Sequence, residues 1–132
     1  MTTAETKAGW PEPPLSAATA RDRVRGLLQT CDPAPPPQVT DDILLVVTEL
    51  VTNAGRHGGG LLAFDARLVE DTITISVTDA SPVVPHTHAR DRAGAPGGFG
   101  WPLIQLLSHE VRVRTTAAGK TIRAVLGTTA HG

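Results

Sequence analysis

The chain has 132 residues, 40% of them hydrophobic, and a formal net charge of −1. That length allows one domain with a real core and excludes two. The near-neutral charge gives no electrostatic footprint for nucleic acid or an anionic membrane, and Trp10, Phe64, Phe99 and Trp101 are too few aromatics for a base-stacking platform. Cys31 is the only cysteine, which excludes an internal disulfide and suits a reducing compartment. The first ten residues hold no apolar run and no stretch approaches the length of a membrane span, so the expected location is cytoplasmic.

Residues 1–15 contain Pro11, Pro13 and Pro14 and little that is apolar, which predicts a flexible, Pro-rich arm, loose or extended. Ser16 is suited to cap a helix running to about Thr30, with Ala20, Val24, Leu27 and Leu28 as its buried stripe and Arg21, Arg23 and Arg25 on its wet face. CDPAPPPQ, from Cys31 to Gln38, reads as a proline-stiffened connection outside any helix. Thr40, Asp41 and Asp42 then open the central helix as a cap followed by acids at its positive end, and Gly58, Gly59 and Gly60 end it. Along that helix Ile43, Val47, Leu50, Val51 and Ala54 form an apolar stripe. Glu49 and Asn53, at i and i+4, share one face, and Arg56 or His57 continues close to that line. A carboxylate that accepts a proton or orients water, one turn from a carboxamide oxygen that ligands a hard cation such as Mg²⁺, can serve one site. The same pair also fits an ordinary solvated helix face.

Two strands follow. Leu62, Phe64, Ala66 and Leu68 share one face of the first, Glu70-Asp71 makes a tight turn, and Ile73, Ile75 and Val77 share one face of the second. A period of two carries Asp79 to that inward side, where a carboxylate needs a partner; the strand ending there, with Asp79 capping the next turn, is the other reading. The loop from Ala80 to Pro96, with Pro82, Pro85 and Gly94, is long enough for a lid or binding loop. GGFG, from Gly97 to Gly100, leads into WPLIQLLS, a short helix with Pro102 in its first turn and Leu103, Leu106 and Leu107 on its buried side. Free backbone N–H groups at such a glycine-approached helix start suit phosphates, although glycine also simply permits turns. The end is a hairpin: Val111, Val113 and Thr115 alternate with Glu110, Arg112 and Arg114, Ala117 to Lys120 turn, and Ile122, Ala124 and Leu126 face the core. The expected architecture is an α+β two-layer sandwich, one domain over 16–126 with residues 127–132 frayed.

Taken in order, ELVTNAGRH on a helix, VTDASP at a strand end, GGFGWPL at a helix start and GKTIRAVL in the last strand resemble the GHKL ATPase superfamily of gyrase and histidine kinases. Within it the chain is most similar to the small anti-sigma-factor/serine-kinase branch, over about Ser16 to Leu126. The resemblance implies a Bergerat ATP-binding fold, with helices on one face of a mixed, mostly antiparallel sheet, and ATP and Mg²⁺ as cofactors. It implies Asn53 as the Mg²⁺ ligand, Glu49 as the general base for an attacking hydroxyl or water, and Asp79 as acceptor of the adenine amino hydrogen bond. Gly98 and Gly100 would let the backbone approach the phosphates, Thr121 would support adenine through water, and Pro85 and Trp101 join the cofactor-binding set. His57 matches a position near the triphosphate, and equally fits a helix C-terminus favoured by the dipole.

The sequence also departs from the family. Phe99 stands where a basic or polar residue is frequent, Trp101-Pro102 replaces a Gly-Leu type of continuation, and Gly55 weakens its helix by roughly 1 kcal/mol relative to Ala. In the short lid only Arg90 and Arg92 have the reach for a γ-phosphate, and both also fit solvated loop charges. His86 and His88 lack a third ligand and read as loop residues, and Cys31 reads as inert. The function implied is a serine/threonine kinase acting on a small regulatory protein, or else a nucleotide-gated binding module without transfer. The implied partners are ATP or ADP with an anti-anti-sigma-like antagonist, a sigma factor or both, and a homodimer is left open.

Overall fold

The computed structural model describes residues 6–8, 16–84 and 100–129. Its elements in chain order are β1 (Thr6–Ala8), α1 (Ala17–Leu28), α2 (Pro37–Arg56), β2 (Leu61–Val69), β3 (Thr72–Asp79), α3 (Gly100–Leu107), β4 (Glu110–Thr116) and β5 (Gly119–Gly127). The strands form one sheet in the order β1-β2-β3-β5-β4, and every described pairing is antiparallel. Part of the expected loose arm is therefore ordered: Thr6–Ala8 adds an edge strand to β2. Among the described residues no helix is long and apolar enough to cross a membrane.

Helix α1 begins as its sequence predicts. Ser16 is extended and its Oγ accepts from Thr19 N at 3.0 Å, satisfying one of the first-turn donors. Helix α2 starts earlier than Thr40. Pro36 is its N-cap and Pro37 its first residue, so Pro37 and Gln38 are helical and Asp41 and Asp42 lie beyond the first turn. The physical reason is that proline at N1 has a helix-ready φ and lacks only an N–H that would be unpaired there anyway. At the other end Gly60 N donates to Ala54 O, and Gly59 and Gly60 take positive φ values of 72° and 120°.

The core lies between this helix layer and the sheet. From α2 it takes Ile43, Val47, Leu50, Val51 and Ala54 as expected, with Val39, Leu44 and Val46 besides. Facing them are Phe64, Ala66 and Leu68 of β2, Ile73, Ile75 and Val77 of β3, and Ile122, Ala124 and Leu126 of β5. Each such large side chain contributes about 1.5–3 kcal/mol on burial. This packing fixes the direction of α2 across the sheet.

Three details correct the sequence reading. A register shift between Leu61 and Ala63 turns Leu62 outward, leaving it 46% exposed, because a bulge inserts one residue without a partner. In α3 the buried residues are Gly100 and Ile104; Leu106 is 76% exposed, since it projects from the far side of the helix. The last hairpin turns at Ala117 and Ala118 alone, so Gly119 and Lys120 belong to β5. The segment expected to fray begins inside that strand, and Thr128 is buried with its N–H donated to Asp71 O at 2.8 Å.

Candidate functional site

Two polar centres lie on the helix-covered side of the sheet. The first is on α2. Glu49 and Asn53 are both half-buried, and α3 begins directly against them. A Cβ added at Gly100 would overlap Glu49 Oε1 and stand 3.3 Å from Asn53 Nδ2, so glycine leaves the Glu49 carboxylate room to stand where it does. Asn53 Oδ1 is buried and accepts no hydrogen bond from the described residues, which is unusual for a buried polar atom. An oxygen of that kind beside a carboxylate is suited to a hard cation. Among the described residues no group of three or more His, Cys, Asp or Glu could hold a metal.

The second centre is at the end of β3. The period of two holds to the last residue, and Asp79 is inward and only 3% exposed. Its alternative reading as a turn cap is also met, because Ser81 N donates to Asp79 Oδ1 at 3.0 Å. What the sequence reading missed is the partner. Lys120, opposite Asp79 in the register and 5% exposed, places Nζ 3.1 Å from Oδ1, 2.9 Å from Oδ2 and 3.1 Å from Ser81 O. The sequence pattern alone places Lys120 in the turn. The signal was present, since Lys120 shares the parity of Ile122, Ala124 and Leu126, and an inward carboxylate calls for a cation.

Glycines crowd this pair. A Cβ at Gly58 would stand 2.8 Å from Asp79 Cβ, and one at Gly119 would lie 3.1 Å from the Asp79 carbonyl carbon. Gly58 follows directly on α2, so the helix that carries Glu49 and Asn53 also reaches the Asp79 centre.

The remaining expected residues divide. Thr121 does not share the side of Asp79. Strand alternation sends its side chain to the outer face, where its hydroxyl pairs with Thr78 Oγ1 at 2.8 Å. His57 is the C-cap of α2, with its backbone N–H on Asn53 O at 2.8 Å and its side chain exposed. Trp101 packs partly buried against the core. Arg56 is exposed. Pro85, His86, His88, Arg90, Arg92, Gly98 and Phe99 lie outside the described residues. Cys31 is half-buried; burial raises its thiol pKa, opposed by a hydrogen bond with Thr128.

A comparison with curated proteins gives no match. A comparison with protein families gives one over residues 10–126, nearly the whole chain: the histidine kinase-like ATPase domain. Its motifs, fold and family match agree, and the chain is an ATP-binding member of the histidine kinase-like ATPase domain family, within the GHKL superfamily.

Proposed function

We propose that this protein is an ATP-dependent serine/threonine kinase of the anti-sigma-factor type, acting in the cytoplasm on a small regulatory protein. The observation that carries the reading is the buried Asn53 Oδ1, without a partner among the described residues, beside Glu49 at the start of α3. An acceptor left unpaired within the protein is destabilising unless a ligand completes it. Asn53 Oδ1 would hold Mg²⁺, whose bound charge supplies neutralisation of a triphosphate. Glu49 would accept the proton of the attacking hydroxyl, and the backbone near Gly100 would receive phosphate oxygens. Asp79 would accept from the adenine amino group. Glu49 and Arg56, the last residue of α2, are separated by about 10 Å at ~1.5 Å per helical residue, a span that an extended nucleoside triphosphate covers.

Incubation with Mg-ATP and the cognate antagonist should yield phosphoserine or phosphothreonine, and Glu49→Ala should abolish transfer while keeping nucleotide binding. Undiminished transfer by that variant would remove Glu49 from its role.

One observation favours a second reading, nucleotide-gated partner binding without transfer. Lys120 Nζ joins Asp79 to Ser81 O at the origin of the long loop, so occupancy at Asp79 has a direct route to that loop. Under this reading partner affinity differs between ATP and ADP while no phosphorylated product forms. Equal affinity with either nucleotide would count against it.

A further inference from the structure

We infer that Lys120 is a second base-reading residue, donating a hydrogen bond to the ring nitrogen beside the amino group that, as proposed above, Asp79 accepts. Thr121 cannot deliver that donor on the inward side, because alternation along β5 sends its side chain to the outer face, where it is bonded to Thr78. Lys120 is the residue that β5 turns toward Asp79.

The hydrogen-bond inventory leaves room for the role. Among the described residues Asp79 Oδ1 takes Ser81 N and Lys120 Nζ, whereas Oδ2 takes Lys120 Nζ. A carboxylate oxygen has two lone pairs, so Oδ2 retains one for an amino N–H. An ammonium has three donors. One N–H directed between the two carboxylate oxygens serves both, a second serves Ser81 O, and the third is left for a ligand. Oδ2 and Nζ stand 2.9 Å apart, an acceptor and a donor side by side. The pairing edge of adenine offers the complementary sequence, an amino donor next to a ring-nitrogen acceptor. Asp79 by itself would also turn negative charge toward that ring nitrogen's lone pair. Lys120 removes the repulsion and replaces it with a charge-assisted bond.

The test is a calorimetric comparison of Mg-ATP with Mg-1-deaza-ATP, which keeps the amino group and lacks the ring nitrogen. The wild type should bind ATP about ten- to a hundredfold more tightly than the deaza analogue, the range expected for one hydrogen bond to a charged donor. Lys120→Met should lose a similar factor toward ATP and no longer distinguish the two. Lys120→Met leaves a buried carboxylate without its cation, so Lys120→Arg is measured beside it and should keep the discrimination. The comparison on the wild type needs no variant. Equal wild-type affinity for the two nucleotides would overturn the role of Lys120 while leaving the nucleotide site standing. Tighter ATP binding by Lys120→Met would also overturn it, making the ammonium a plug on the carboxylate. Failure of the wild type to bind either nucleotide would bring down the site and the inference together.

Discussion

Two glycines of this site predict opposite outcomes for the same substitution. At Gly58 the added methyl of Gly58→Ala meets the side chain of Asp79, which Lys120 and Ser81 hold in place from two sides. That neighbour cannot yield, so the variant should lose about 1–3 kcal/mol of stability, the range for overpacking. Nucleotide affinity should fall with it, as Asp79 is forced from its position. At Gly100 the methyl meets the far end of Glu49, half-buried and flexible. There the carboxylate swings away, stability stays within about 0.5 kcal/mol of the wild type, and phosphoryl transfer is lost. Urea denaturation alongside nucleotide titration separates the two cases. A stable Gly58→Ala, or an unfolded Gly100→Ala, would contradict the argument.

At the scale of elements, the open face of the sheet carries a defect that the covered face lacks. Arg112 of β4 and Arg123 of β5 are directly opposite in the register, and Arg112 is paired with Glu110 of its own strand. Like charges in such a pair destabilise by roughly 0.2–1 kcal/mol. Arg123→Thr should therefore raise the urea midpoint at low ionic strength, with the gain shrinking as salt screens the pair. A gain that persists in 1 M salt would point to strand propensity instead. The junction of α1 with the C-terminal segment gives a second element-scale prediction. Cys31, just past α1, has its thiol pKa raised by burial, with the Thr128 hydrogen bond opposing. The folded state then holds this proton more tightly than the unfolded chain, so its contribution is full below the unfolded thiol pKa and fades as pH rises through the folded value. Stability should drop more steeply on the alkaline side for the wild type than for Cys31→Ala, a difference that pH-dependent thermal unfolding would reveal. Elements of this kind were legible where periodicity was long. The α2 stripe and the β3 alternation down to Asp79 follow directly from residue spacing. Boundaries set by turn chemistry were not. The bulge that exposes Leu62 and the two-residue turn that returns Lys120 to β5 depend on how neighbouring strands lock together, which one strand's own pattern does not specify.

At the scale of the whole molecule, the sequence motifs that fall far apart in the chain meet because α2 crosses the sheet. It carries Glu49 and Asn53 along its length and delivers Gly58 to Asp79 at its end. On the proposed reading a ligand completes this site, and Asn53 makes that measurable. Its buried Oδ1 has no partner among the described residues, and an unsatisfied acceptor costs about 1–3 kcal/mol. Asn53→Leu keeps the size of the side chain and removes that acceptor, so without nucleotide the variant should unfold at a higher temperature than the wild type. With Mg-ATP the order should reverse. A ligand at a hundred times its Kd stabilises the folded state by about 2.7 kcal/mol, and the wild type gains this while the variant, lacking the oxygen, does not. Thermal unfolding of both proteins with and without Mg-ATP yields four midpoints, and the prediction is a crossing between them. Parallel shifts in the two proteins would place the nucleotide's metal elsewhere. A variant less stable than the wild type in both conditions would mean that Asn53 holds the fold together rather than waiting for a ligand.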